Sequence, residues 1–190
     1  MLKRDSGFSD MSTTIESKST TQVNHSEPVG VSQQIVAYVE LLLIGVWLGS
    51  MMFFSFAVAP SAFAVLPTRE LAGTIVTSTI GKVEVIGMVF GALLILIQLA
   101  TWTRESSARL IRLVLVMLMI ASAALSRFWI SPTMTSLRAA MGGNIDDVAA
   151  SNPLRMQFND LHQYSVGLMS VAIVSGLVLF FLTVRSWQTR

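Results

Sequence analysis

The stretch RMQFNDLHQYS, residues 155–165, puts Arg155, Asp160 and His162 at the mouth of an apolar run that reaches Val184 without another charge. A guanidinium, a carboxylate and an imidazole in that position could hold a ligand, pass a proton or close an ion pair, and groups of this kind are costly at membrane depth. Lys82 and Glu84 stand at the head of a second run, 85–103, and Arg127 interrupts a third, 113–137. Fourteen residues separate Arg112 from Arg127, roughly 21 Å of helix, so both cannot stand clear of a hydrocarbon core about 30 Å thick. Arg112 can snorkel toward the basic loop before it. Arg127 then stays inside and needs an anion, with Glu84 the first choice and Asp160 the second.

Metal chemistry has little to work with. The chain has no cysteine and two histidines; His25 stands in a polar tail, and one imidazole is a hydrogen-bonding group before it is a metal ligand. Of the 11 methionines, Met51 and Met52 diverge on a helix, as do Met117 and Met119, which fits ordinary apolar packing. Glu40 falls near the start of the first apolar run and is expected at the interface. There is no Gly-rich phosphate loop, no H-E-x-x-H and no Ser/His/acid set, so no catalytic residue, metal or cofactor is assigned.

The elements that must position these groups follow from composition. Of 190 residues, 53% are hydrophobic and 13% charged, with a mean hydropathy of +0.65, too apolar for a polar shell around a water-soluble core. The expected fold is an all-α, polytopic membrane protein: a four-transmembrane-helix bundle over 34–187, with helices at about 34–60, 82–103, 109–131 and 153–185. Residues 1–33 are Ser/Thr-rich, mixed in charge and without an apolar run, so they are expected as a disordered cytoplasmic tail and not as a cleaved signal. Pro60 is the expected end of the first helix. PTRELAGTIVTSTIG, 67–81, is expected as an amphipathic connection on the membrane surface, and Asn152-Pro153 as a capped start of the last helix. Basic residues gather before the first helix (Lys3, Arg4, Lys18), between the second and third (Arg104, Arg109, Arg112) and at the end (Arg185, Arg190). The other side has Arg69, Arg138 and Arg155, so both termini are placed in the cytoplasm and the protein in the cytoplasmic (inner) membrane.

Steps of three and four residues set the faces. Glu84, Gly87, Gly91, Leu94 and Gln98 share one stripe, and Gly87 with Gly91 makes a small-xxx-small pair for close helix packing. Gly45 and Gly49 make another. Arg155, Phe158, His162, Ser165, Met169, Ala172 and Gly176 form a stripe on the last helix, which turns His162 inward. Antiparallel helices then bring Glu84, Arg127, Asp160 and His162 to one outer level. Two readings of that layer stay open: a structural network that fixes helix register, and a ligand or proton site open to the outer face.

Three segments carry a family resemblance: GVWLGSMMFFSFAVAPSAFAVLP with Trp47, Gly49, Pro60 and Pro67; SRFWISPTMTSLRAAMG with Arg127 and Pro132; and FNDLHQYSVGL with Phe158, His162 and Ser165. Over about residues 35–185 the chain resembles the transmembrane-protein-205-like family, four-span membrane domains of unknown function. That resemblance implies a compact multi-pass bundle and no agreed activity. The first segment is also distantly similar to copper-resistance and haem-pathway membrane proteins, which would imply histidine-held haem or copper. One membrane histidine departs from that pattern.

The reading that results is a non-enzymatic multi-pass membrane protein that binds or moves a small solute or ion through the outer polar layer. The alternatives are a structural or assembly partner of other membrane proteins and a haem- or copper-handling accessory. Membrane lipid, a second copy of the chain and other membrane proteins are the expected partners. The small net charge of +2 and the placing of aromatics in spans give nucleic acid no support.

Overall fold

The computed structural model describes residues 31–101, 107–142 and 145–188, all helix, turn or short connection with no strand among them. Four helical stretches are long and apolar enough to cross a membrane: Gln33–Val65, Arg69–Ala100, Arg109–Ala140 and Pro153–Ser186. An even number of spans returns the chain to the side where it begins, so the bundle has a terminal end and a far end. At 1.5 Å per residue the spans measure roughly 48–51 Å, against about 30 Å of hydrocarbon. About a third of each helix therefore extends past the apolar layer.

The first span contains α1 (Val31–Phe53), a π-helical turn at Phe54–Val58, and α2 (Ala59–Val65). Pro60 does not end it, contrary to the expectation. The widened turn precedes the proline and leaves it in the first turn of α2, where a missing amide proton removes no ladder bond. The third span repeats the device. There α4 (Ser107–Leu125) meets a π-helical turn at Ser126–Ile130, and α5 (Ser131–Ala140) carries Pro132 in its first turn. In both spans the proline follows the π turn by two positions, so the third helix runs nine residues past the expected end at 131. This shared break is a likeness between the two hairpins that the residue pattern does not display.

The second and fourth spans are unbroken. α3 covers Arg69–Ala100, so the connection expected over 67–81 is instead the start of this helix. Thr68 caps it by accepting a hydrogen bond from the Leu71 amide at 3.2 Å, and Glu70 favours the first turn electrostatically. α6 covers Pro153–Gln188, and Asn152 Oδ1 accepts from the Leu154 amide at 2.8 Å, the cap its sequence suggests. Residues 1–30 of the expected disordered tail lie outside the described residues, and 31–33 open α1.

Two apolar cores hold the bundle. The larger, toward the terminal end, joins Ile44, Trp47 and Met51 of the first span to Leu94, Val116, Met119, Ala172 and Leu179. The smaller, at the far end, joins Ile130 and Leu137 to Phe158 and Leu161. Gly87 is buried under the Trp47 indole, and Gly91 under Ile120 and the same indole. A methyl group at either glycine would collide with those side chains, so the small pair on α3 is what lets the tryptophan into the core.

Candidate functional site

The polar groups fall at two levels. At the terminal end, Arg112 of α4 donates from Nη2 to Glu40 Oε2 of α1 at 2.6 Å, with side-chain exposures of 12% and 8%. Glu40 is thus a buried partner and not an interfacial group, and Arg112 does not snorkel outward as expected. A carboxylate one helix away, in a nearly dry interior, satisfies the guanidinium more completely than a distant surface could. Gln98 of α3 is buried on the same half of the bundle, with neither amide atom bonded. Thr183 of α6, also buried, donates to the Leu179 carbonyl at 2.8 Å.

Near the middle of the helices stands Glu84, 7% exposed. The expected stripe Glu84, Gly87, Gly91, Leu94 and Gln98 is buried along its whole length. Ser126, the first residue of the second π turn, donates to the Glu84 carboxylate, and the Arg127 charge also acts on it. The carboxylate's other oxygen, Oε2, is buried with no bonded partner. Glu84 lines a space of about 30 Å³ together with Trp47, Ser122, Ser126 and Ser165, large enough for a water molecule.

Arg127 does not lie inside against Glu84. Among the described residues no carboxylate comes within 4 Å of its guanidinium, and neither Glu84 nor Asp160 forms an ion pair with it. The π turn is the reason: it buries Ser126 and Ile130 and turns Arg127, Phe128 and Trp129 outward. Arg127 instead passes over Gly81 and, with Lys82, lines an open groove between α3 and α5. Asp160 is exposed on α6 and lines none of these spaces. Of the four residues expected in one layer, Glu84 and Arg127 are neighbours, His162 lines a separate cavity, and Asp160 is exposed.

His162 is exposed on α6 and not turned inward as expected; it edges a different space, a cavity of about 380 Å³ at the far end where all four spans meet. Phe54 and Ser55 of the first π turn, Pro60 and Phe63 of α2, Val76 and Ile80 of α3, Arg138 of α5, and Ser165 and Met169 of α6 are in its wall. Ser55 donates to the Met169 sulfur, and Thr135 to the Ser131 carbonyl at 2.9 Å, so these wall hydroxyls are already engaged. Arg138 is not. Its guanidinium lies 5.6 Å from the centre of the Phe158 ring and against Gly73. Its Nε is buried without a hydrogen bond, and among the described residues no carboxylate pairs with it. Ending the third helix at 131 would make Arg138 a loop residue. The continuation through Pro132 makes it part of the site.

The remaining candidates divide. Trp47 and Phe158 are core, Ser165 sits between the small space and the cavity, and Pro60 and Pro132 mark the two π turns. Gly45 and Gly49 are exposed, with no atom within 4 Å of where a Cβ would stand, so any close contact they allow is with something outside this chain. Met51 and Met119 are buried and Met52 and Met117 exposed. Among the described residues no three His, Asp or Glu side chains gather as a metal would require. Arg155 donates to the Val148 carbonyl, and Arg69 meets Asp146 at 3.8 Å on the surface.

The model of one protein family, described as Domain of unknown function (DUF4149), matches residues 42–142. The match takes in Glu84, Arg127 and Arg138 and leaves α6 outside. It supports the coarser half of the resemblance, a membrane domain with no assigned activity, and does not support the transmembrane-protein-205-like assignment or the copper and haem similarity. No curated protein and no solved structure matches the chain.

Proposed function

The chain belongs to the DUF4149 family, and from that premise we propose that it is a non-enzymatic multi-pass protein of the inner membrane, with both termini in the cytoplasm, that binds a small solute at its far, outward-facing end. The observation that carries this reading is the cavity of about 380 Å³ walled by all four spans, with the unpaired Arg138 guanidinium held on its rim by Phe158 and Gly73. A concave, mostly apolar space with a few fixed polar groups is the usual form of a ligand site, and π turns such as the one contributing Phe54 and Ser55 recur at such sites. A purely structural layer would be expected to pair its charges, as Glu40 and Arg112 do. Organic extraction of the protein purified in mild detergent tests the reading. It predicts a small molecule in stoichiometric amount that is lost in Thr77→Trp, which fills the cavity from its wall; identical extracts from both proteins and from a detergent blank would count against it.

A second reading, an assembly partner, draws on Gly45 and Gly49, which lie open on α1 between exposed Leu42, Val46 and Phe53. Apolar exposure is what lipid requires, but an exposed small pair also admits another helix closely. Cross-linking through a cysteine at Val46 should trap a dimer or a foreign helix if this is so, and monomer alone would exclude it. A haem- or copper-handling role would need a second copy of the chain or a further ligand of another type, because His162 is the one imidazole among the described residues.

A further inference from the structure

Resting on the proposal that the far-end cavity is a ligand site, we infer that its ligand is an amphiphile with one anionic head group and one apolar chain, the chemistry shared by a fatty carboxylate and an alkyl phosphate. The charge argues for the anion. Arg138 is the cation in the cavity wall, and it has no carboxylate partner among the described residues. A guanidinium fixed on an aromatic face is preoriented to meet a carboxylate or phosphate with two parallel donors. His162 adds a polar ring on the same wall.

Size and wall chemistry argue for the chain. About 380 Å³ is roughly the share of a dozen water molecules, more than an inorganic anion fills. From the rim inward the wall becomes Phe54, Ile80 and Met169, with the Ser55 proton already given to the Met169 sulfur. Glu84 lies just beneath this base, sharing Ile80, Ser165 and Met169 with the cavity. The head is held at Arg138 and the apolar base takes the chain, so head and tail have one orientation. Lys82 and Arg127, in the groove that shares Thr77, Ser131 and Thr135 with the cavity, add positive potential on the approach.

The test uses full-length protein in nanodiscs of zwitterionic lipid and the fluorescent probe 11-(dansylamino)undecanoic acid, with empty nanodiscs subtracted. Saturable binding is expected, with at least a tenfold loss in Arg138→Gln and in the probe's methyl ester. Competition then identifies the head: tighter displacement by dodecanoate points to a carboxylate, and tighter displacement by dodecyl phosphate to a phosphate. Equal binding of the methyl ester, or displacement by dodecanol as effective as by either anion, overturns the anionic head and leaves the solute-site reading standing. Dansylglycine binding as tightly as the long probe overturns the chain. If no probe binds saturably to the wild type and Thr77→Trp changes nothing in the extract, the inference and the reading beneath it fail together.

Discussion

At the terminal end of the bundle Glu40 and Arg112 face each other at 2.6 Å across two helices, while at the far end Arg138 faces a cavity with no carboxylate in reach among the described residues. Both arginines are largely withdrawn from solvent, and both leave Nε without a partner. The first has nonetheless been neutralised by its own chain and the second has not. A buried charge that finds an internal partner ties helices together, whereas one held by an aromatic ring and a glycine has its position fixed and its hydrogen bonds free. The contrast separates charge used for structure from charge left for something that arrives.

The largest expected effect of breaking this contrast is at the terminal end. Arg112→Met leaves Glu40 buried and unpaired and should cost about 3–5 kcal/mol, read as a steep fall in unfolding temperature in detergent. Glu40→Leu combined with Arg112→Met should recover most of that loss. If the single variant melts with the wild type, the pair is not structural.

The next effect compares the two small pairs. Gly87→Ala drives a methyl group into the Trp47 indole, an overpacked core worth about 1–3 kcal/mol. Gly45→Ala meets nothing within 4 Å and should be neutral or slightly stabilising in the isolated protein, since alanine is the better helix former. A loss at Gly45 equal to that at Gly87 would mean that α1 packs on another helix in the preparation.

These two glycine pairs also show what could be read from residues alone. The period of 3.6 residues exposes a buried stripe, and Glu84, Gly87, Gly91, Leu94 and Gln98 all lie on it. It does not say what lies opposite, so it cannot separate Gly87 under a tryptophan from Gly45 facing outward. Nor does it bring Glu40 to Arg112, because the order of helices around a bundle is set by packing over 72 residues of separation. Pro60 reads as a stop because a proline inside an α-helix removes a ladder bond, and Pro132 stands just past the expected end of the third helix at 131. The π turn before each one absorbs that loss and rotates Arg127 outward, and no residue pattern marks it. Arg138 entered the site through the same device.

A smaller effect is expected at Glu84. Its carboxylate has one oxygen near Ser126 and the other unbonded, with no cation within 4 Å among the described residues. Glu84→Gln should therefore change stability by no more than about 1 kcal/mol, against the several expected at Glu40. Equal losses at the two positions, in the same detergent melt, would show that Glu84 is paired as firmly as Glu40.

The most direct test sets Arg138 against Arg112 in one experiment that reads unfolding temperature and amphiphile binding together. Arg138→Gln is predicted to melt within about 1 kcal/mol of the wild type, the scale of one cation–π contact, and to lose binding of the dansyl carboxylate at least tenfold. Arg112→Met is predicted to melt far lower and, below its melting temperature, to bind as the wild type does. An Arg138→Gln protein that unfolds as readily as Arg112→Met, or that binds the probe unchanged, would contradict the division of the bundle into a structural end and a binding end.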